Sequence, residues 1–237
     1  MRRFPASLGF LALAAVLATP STSAAQQSLS FYVGGFVPLG EDARVRINGR
    51  SDDVLVNNLD FLAFNIKDFS GGTAGAEYLV GVGQWLEAGL GVGIYRRTVP
   101  SVYLDLVNKN GTEIEQDLRL RIVPYTATVR FLPLGRSSGL RPYIGAGVGV
   151  LAWRYSESGD FVDSFDNTIF RDSFVGTGTA TGPIVLGGLR IPLGPWDIGG
   201  EVRYQKATGD LPADQSFSAN KIDLGGWTYA VTFNIHF

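Results

Sequence analysis

The sequence has no cysteine, one methionine and one histidine in 237 residues. Without cysteine the chain can form neither disulfides nor thiolate metal sites, and it cannot carry a lipid on an N-terminal cysteine. The one histidine is His236, the penultimate residue, so a zinc site lacks its usual ligands and nucleophilic catalysis lacks its usual base. We therefore expect no enzymatic activity, no metal and no cofactor, and we interpret His236 as structural.

Long apolar stretches are also scarce. The longest uncharged segments after residue 25 are Pro142–Trp153 and Ser173–Leu189, and glycine, threonine or proline interrupts both. A membrane-spanning helix needs about 20 consecutive apolar residues, whereas short interrupted segments of this kind are typical of strands. The sequence therefore predicts an all-β protein.

The first residues have the pattern of a secretory signal peptide. Arg2 and Arg3 precede the apolar stretch Leu8–Ala18, which is too short to cross a bilayer as a helix, and the small residues Ser23–Ala25 follow it. We predict cleavage after Ala25. The predicted division is a cleaved signal peptide at 1–25 and one domain at 26–237.

The charge balance argues against a nucleic-acid partner. The chain has 20 basic and 22 acidic residues, a formal net charge of −2. Removal of a leader with two arginines makes the remaining chain more acidic, whereas nucleic-acid binders are usually basic.

The last eleven residues alternate strictly between large apolar and small or polar side chains. Because side chains on a strand alternate between its two faces, this segment has one apolar and one polar face. Its length matches a tilted transmembrane strand of about 9 to 11 residues, although a core strand of a soluble sandwich would show the same alternation. The apolar set is Trp227, Tyr229, Val231, Phe233, Ile235 and Phe237.

Seven further segments have strand character, and their connections alternate between long and short. This rhythm predicts an eight-stranded antiparallel transmembrane β-barrel with four long extracellular loops and three short periplasmic turns. The last strand then pairs with the first near Phe31 and Val33. The predicted strands are Ser28–Val37, Thr73–Val80, Trp85–Arg96, Leu118–Phe131, Pro142–Tyr155, Thr179–Ile191, Trp196–Gln205 and Leu224–Phe237.

Glycines and single charges share one face of the predicted strands. In the third strand, Gly89, Gly91 and Gly93 lie opposite an apolar face, and the interior of an eight-stranded barrel has room only for packed side chains. A charge facing lipid at the bilayer midplane would cost about 2 to 4 kcal/mol, so we expect the charges to point inward, Arg190 among them. We predict that five of them form an ion-pair network that fills the lumen, with a charged translocation pathway as the alternative. The five residues are Glu77, Glu87, Arg130, Glu201 and Arg203.

Two segments resemble a known superfamily. Arg141–Gly149 reads Arg-Pro-Tyr-Ile-Gly-Ala-Gly-Val-Gly, and this segment together with Glu201–Tyr204 resembles strands of the small outer-membrane β-barrel proteins, closest to the OmpX-like and OmpW-like barrels. The resemblance implies a bacterial outer-membrane location. It also implies that the C-terminal aromatic pattern ending at Phe237 is the signal read by the barrel-assembly machinery. Outer-membrane lipids and lipopolysaccharide are expected partners as well, and we expect a monomer.

The sequence leaves several functions open. The first is a non-enzymatic barrel that displays loops for envelope integrity, adhesion or defence. The second is OmpW-like binding or transport of small hydrophobic molecules, suggested by an unusually apolar first loop. A lipid-modifying envelope enzyme and a soluble lipocalin-like barrel are further possibilities.

Calcium could bind acidic residues of the third loop, although their spacing matches no EF-hand. The first-loop apolar residues are Leu55, Val56, Leu59, Phe61, Leu62, Phe64 and Ile66, and the acidic residues are Asp160, Asp163, Asp166 and Asp172.

Overall fold

The computed structural model describes residues 27–237 except 45, 48, 49 and 164, and it leaves the side chains of 46, 47 and 50 undescribed. The predicted signal peptide at 1–25 therefore lies outside the described residues.

Eight long antiparallel strands form a closed ring. Each strand pairs with its neighbours in the chain, and the last pairs with the first, so the barrel has no free edge. The predicted fold is confirmed. The strands are β1 (Gln27–Pro38), β2 (Gly71–Val82), β3 (Leu86–Val107), β4 (Glu113–Phe131), β5 (Arg141–Val162), β6 (Ile169–Leu193), β7 (Trp196–Gln205) and β8 (Gly226–His236).

The closing register is the one that the alternation of β8 predicts. Phe31 lies opposite Phe233, and Val33 lies opposite Val231. All four of these side chains are on the outer face and exposed. A shift of one residue would turn the apolar face of β8 into the barrel, so the pattern specifies the register.

Four strands extend at least five residues further toward the loop end than the sequence predicts. The apolar alternation ends near Arg96 and Tyr155, and the predicted strands end with it, but the ladders β3–β4 and β5–β6 continue well beyond these residues. An antiparallel pair needs no apolar face to keep its hydrogen bonds. The second and third long connections are therefore built mostly from strand, and the loops at their tips are short.

The connections divide the barrel into two ends. We call the end with the short connections 83–85, 132–140 and 194–195 the turn end, and the opposite end the loop end. Two long irregular segments lie at the loop end. Loop 1 is residues 39–70 and loop 4 is residues 206–225.

Both loops contain short elements that pack over the mouth of the barrel. Loop 1 carries the helix α1 (Val54–Asn58), and its N-terminus is capped by Asp53, whose side chain accepts hydrogen bonds from two backbone N–H groups. A second turn, the 3₁₀ helix Ile66–Phe69, has a capping box. Loop 4 contains a small hairpin of Thr208–Asp210 and Lys221–Asp223. In the part of the chain described, no helix has the length and apolar character that crossing a membrane requires.

Candidate functional site

A layer of paired charges crosses the barrel interior nearer the turn end. Arg130 lies on β4 and donates to Glu77 of β2 and, over 3.0 Å, to Glu201 of β7. Arg203 donates to Glu201 over 2.7 Å and to Glu77 over 3.4 Å. All four side chains are buried. Because each carboxylate accepts from both guanidinium groups, the four charges balance within the layer.

Glu87 does not join this cluster, in contrast to the sequence prediction. It accepts a 2.8 Å hydrogen bond from Arg190 of β6, which is also buried. The ring of Tyr143 lies between the guanidinium groups of Arg130 and Arg190. Its centroid is 5.0 Å from Cζ of Arg130 and 4.4 Å from Cζ of Arg190. Strand parity predicts that all these charges face inward, but the position of each strand around the ring decides which charges meet.

One inward glycine shows why the layer needs small neighbours. A Cβ atom on Gly89 would lie 2.6 Å from Oε1 of Glu77 and 2.8 Å from Oγ1 of Thr128. That hydroxyl also donates to Glu77 over 2.8 Å. A larger residue at Gly89 would therefore displace the groups that hold the Glu77 carboxylate.

An apolar cluster fills the interior from the charged layer to the loop end. The inward side chains of β3, β4 and β5 meet apolar residues of loops 1 and 4. Four loop-1 side chains in it, Val54, Leu55, Val56 and Phe69, are fully buried. The apolar composition of loop 1, unusual for a surface segment, is explained by this burial. Prominent members of the cluster are Val54, Leu62, Ile66, Tyr95, Leu118, Leu120, Ile122, Trp153, Tyr155, Leu211, Ile222 and Leu224.

The boundary between the charged and the apolar layers is tightly packed. A cavity of about 20 Å³ remains there, with Tyr32, Tyr95, Ile122 and Arg203 among its lining residues. A void of this size holds roughly one water molecule. The two layers together therefore close this section of the barrel, and a charged translocation pathway has no space here.

Asn58 ties the two loops to the barrel wall. Its Nδ2 donates to Oε1 of Glu157 over 2.7 Å and to the Tyr155 hydroxyl over 3.3 Å, both on β5. Its Oδ1 accepts from Oγ of Ser218 in loop 4 over 2.6 Å. A single fully buried amide thus holds α1, β5 and loop 4 together.

Glu157 is a buried carboxylate without an arginine or lysine partner among the described residues. Its Oε1 also accepts from the Tyr155 hydroxyl over 2.8 Å. Burial raises the pKa of Glu157 above the usual value of 4.5, and the hydrogen bonds from Asn58 and Tyr155 oppose that increase. This polar group at the edge of the apolar cluster is therefore sensitive to protonation.

Asp53 holds a second polar contact between loops 1 and 4. Its Oδ2 lies 2.6 Å from Nη1 of Arg44 and accepts from the backbone N–H of Asp223 over 2.6 Å. Arg44 also donates to the backbone carbonyl of Asp223 over 3.3 Å. No sequence pattern indicates these contacts, because Arg44 and Asp53 lie outside regular elements and Asp223 is far from both in the chain.

We call the residues of loops 1 and 4 in the apolar cluster the loop plug. An aromatic cavity opens beside the loop plug at the loop end. Its volume is about 580 Å³, and polar groups such as Gln116 and Glu157 line it together with aromatic rings. Phe161 and Phe174 meet edge to face in its wall, with ring centroids 4.7 Å apart. The remaining aromatic lining residues are Phe61, Tyr103 and Phe170.

The turn end has its own ion pair. Nε2 of His236 lies 2.8 Å from Oδ2 of Asp197, and Nη1 of Arg141 lies 3.1 Å from the same oxygen. Asp197 is fully buried. These contacts link β8, β7 and β5, so His236 contributes to the packing of the turn end.

The C-terminal aromatic set lies mainly on the outside of the barrel. Trp227, Tyr229, Val231 and Phe233 are exposed along the outer face of β8, and Ile235 is half-buried. Phe237 is 67% exposed, and its ring centroid lies 6.4 Å from that of Tyr78.

The acidic residues of the third connection are held by local contacts. Asp166 accepts from the N–H and the hydroxyl of Thr168, and these bonds lower its pKa. Asp160 lies 3.7 Å from Arg171. Over the described ranges, no three His, Asp or Glu side chains are grouped in a way that could hold a metal ion.

The outer surface is an apolar belt. In a soluble barrel the apolar residues face inward, but around the charged layer of this barrel the charged side chains face inward and large apolar side chains face outward. Soluble proteins rarely expose apolar patches beyond a few hundred Å². This polarity does not fit a soluble lipocalin-like barrel. Members of the belt are Val33, Leu90, Val92, Ile94, Tyr125, Val129, Ile144, Val148, Val150, Val185, Ile198, Val202, Tyr229, Val231 and Phe233.

Comparisons with known proteins agree with this architecture. No protein-family model and no curated protein sequence matches the chain. Among solved structures, OprG from Pseudomonas aeruginosa superposes with a TM-score of 0.53 at 14% identity, covering 90% of this chain and 96% of OprG. Neisserial surface protein A aligns with a TM-score of 0.45 at 13% identity, over 90% of this chain and 97% of that one. Ail of Yersinia pestis aligns with a TM-score of 0.43 at 13% identity, over 90% and 99%. The superposition on OprG shows that the chain has the fold of the small outer-membrane β-barrel proteins.

Proposed function

We propose that the protein is a non-enzymatic integral outer-membrane barrel that displays a binding surface at its loop end, outside the cell. The apolar belt and the inward charges support the membrane location, because lipid is the solvent that such an outer surface requires. The sequence pattern of a signal peptide supports export. The loop end faces outward in this proposal, and the turn end faces the periplasm.

The observation that carries the proposal is the closed interior combined with projecting hairpins. The charged layer and the loop plug fill the barrel interior. The role of the barrel in this proposal is therefore to hold the protein in the membrane. The hairpins β3–β4 and β5–β6 extend beyond the apolar belt and carry exposed apolar residues near their tips, among them Leu104, Val107 and Phe165. Phe165 is 99% exposed. Apolar side chains on a projecting, otherwise polar segment are typical of a contact surface.

An epitope-tag experiment tests the orientation. A tag inserted between Asn110 and Gly111, at the tip of β3–β4, is expected to bind antibody on intact cells. The matched control is a tag between Ser137 and Ser138 in a turn-end connection, which is expected to bind only after the outer membrane is opened. The reverse accessibility would overturn the proposed orientation.

A conductance measurement tests the closed interior. Purified protein in planar bilayers is expected to give no stepwise current. A variant in which residues 52–66 are replaced by a glycine-serine linker is expected to stay closed as well, because the Glu77 and Arg130 layer lies below the plug. Regular channel openings in the unaltered protein would contradict an anchoring barrel.

The aromatic cavity favours a second candidate function, which is binding of a small hydrophobic molecule. A volume of about 580 Å³ falls within the range of small-molecule pockets, about 300 to 1,000 Å³. The ring faces of Phe161 and Phe174 offer apolar contact, and Gln116 and Glu157 offer polar contacts. An environment-sensitive naphthalene dye should bind to the purified protein, and the Phe161→Ala/Phe174→Ala variant should bind it less. Equal binding by both proteins would exclude this cavity.

A further inference from the structure

Four arginines form a cluster on the outer face of the barrel. Arg96 of β3 lies opposite Arg121 of β4, and Arg121 lies opposite Arg154 of β5, so three guanidinium groups share one row across three strands. Arg119 lies two residues along β4 on the same face, opposite Ser156. All four arginines are exposed. We call these four residues the arginine row.

The arginine row is unfavourable in the protein alone. Like charges directly opposite each other on neighbouring strands repel. Within the described residues, none of the four arginines has an ion-pair partner, and their one side-chain hydrogen bond runs from Nε of Arg119 to the hydroxyl of Thr98 over 3.1 Å. Asp117 is the nearest acid on the same face of β4, one step beyond Arg119 and away from the other three. An external anion would relieve this repulsion.

The arginine row lies where the apolar belt ends. One step toward the turn end on the same outer face, the three strands carry Ile94, Val123 and Ala152, and the belt continues below them. One step toward the loop end, the outer positions on β4 and β5 are Arg119 and Ser156. The next outer positions beyond these two are polar as well. The guanidinium groups are therefore placed at the edge of the hydrocarbon layer, at the depth of the lipid head groups on the loop side.

The arginines enclose a space of suitable size for such a head group. A cavity of about 240 Å³ is lined by the four arginines and Ser156. A guanidinium group presents paired N–H donors that match two oxygens of one phosphate. Three such groups in a row can hold a head group with more than one phosphate.

We propose that the arginine row binds the phosphates of a glycolipid in the outer leaflet, namely a bis-phosphorylated lipid A-type head group. This inference rests on the proposed membrane location and orientation. It assigns a binding site on the barrel to the expected lipid partner. It also explains why like charges lie side by side in the row, because the bound phosphates offset their repulsion.

A lipid-binding experiment tests the site directly. Refolded protein in mild detergent is titrated with bis-phosphorylated lipid A and, as a control, with the same lipid after phosphatase treatment, and bound lipid is counted by native mass spectrometry. Only the phosphorylated lipid is expected to bind tightly. Each Arg→Gln change within the row is expected to weaken this binding by about fivefold, since one arginine near an anionic surface contributes about that factor.

The matched control is Arg171→Gln, because Arg171 is an 83% exposed arginine at the loop end outside the row. This change is expected to leave lipid A binding unaltered. Equal loss in Arg121→Gln and Arg171→Gln would show general charge attraction only and would overturn the proposal.

Thermal unfolding supplies a second readout, because the expected effect of Arg121→Gln on the Tm depends on whether phosphorylated lipid A is present. In detergent without anionic lipid, Arg121→Gln is expected to raise the Tm by relieving repulsion. With phosphorylated lipid A present, the unaltered protein is expected to gain more in Tm than the variant. Equal gains would overturn the arginine site, while normal insertion of both proteins into neutral lipid vesicles would leave the proposed membrane location intact. Failure of both to insert would instead contradict that location.

Discussion

At the residue scale, the buried ionisable side chains are of two kinds, those with an oppositely charged neighbour and those without one. Inside the barrel, Glu77, Arg130, Glu201 and Arg203 share hydrogen bonds, so each buried charge has an opposite neighbour. Removing one partner of such a group usually costs about 3 to 5 kcal/mol, because a buried charge remains uncompensated. Glu157 is the exception, since its partners are an amide and a hydroxyl.

Glu157 should make the loop plug dependent on pH. Its pKa is raised in the folded protein, so between the ordinary carboxyl pKa of 4.5 and the raised value the folded state holds a proton that the unfolded chain has lost. Stability therefore falls as the pH rises through this window. Burial raises the pKa of Asp223 in loop 4 as well, so this second group acts in the same direction.

The Glu157→Gln variant removes the first of these titrations. Oε1 of glutamine can still accept from Asn58 and Tyr155, so we expect the variant to be more stable than the unaltered protein at pH 8 and to gain less at pH 4, where the carboxyl group holds its proton. Hydrogen exchange of the α1 amides at both pH values measures the difference. Glu115→Gln, at an exposed position of β4, is the control and should change neither. A variant that loses protection at pH 8 would contradict this role of Glu157.

At the element scale, loop 1 and β8 complete the barrel in different ways. Loop 1 folds its apolar residues into the mouth through α1, where Leu55 and Val56 are fully buried. β8 closes the ring by pairing with β1 and β7 along its whole length. The C-terminal set that we interpret as the assembly signal lies mainly on its outer face.

Phe237→Ala tests that interpretation of β8. Phe237 is 67% exposed, so the substitution should cost little stability in the folded barrel, less than about 1 kcal/mol. In cells it should instead slow outer-membrane assembly, measured as the fraction of protein with the heat-modifiable migration of a folded barrel. Val82→Ala, at another exposed apolar position of the turn end, should assemble normally. Equal assembly of the two variants would count against a specific signal.

At the scale of the whole molecule, the barrel encloses paired charges and presents a belt of large apolar side chains on its outer face. This arrangement is stable only if lipid surrounds the belt, because the exposed apolar area would otherwise face water. The closed lumen and the projecting hairpins support the proposal that the binding surface is at the loop end. The arginine row marks the boundary between belt and hairpins.

Val148→Arg tests the depth of the belt. Val148 lies near the middle of the belt on β5 and is 55% exposed, so an arginine there should lower the free energy of unfolding by about 2 to 4 kcal/mol in lipid vesicles. Val107→Arg, which adds the same charge beyond the belt on β3, should change it by less than about 0.5 kcal/mol. Reversible urea unfolding measures both, and equal losses would mean that the two positions share one environment.

The strand faces, the number of barrel strands and the inward direction of the buried charges are predictable from the sequence alone. These properties depend on the two-residue period of a strand, which is local, so residues such as Glu77 and Arg130 could be assigned to a face without a structure. The register of β8 followed for the same reason, because a shift of one residue would reverse every side chain.

Which of those charges meet, and which residues fill the mouth of the barrel, depends on the tertiary structure. Arg190 takes Glu87 away from the predicted network because the position of β6 around the ring brings them together. The burial of loop 1, the contacts of Asn58 and the alignment of Arg96, Arg121 and Arg154 depend on residues far apart in the chain. Such contacts are set by ring closure and strand stagger, and local periodicity carries no information about either.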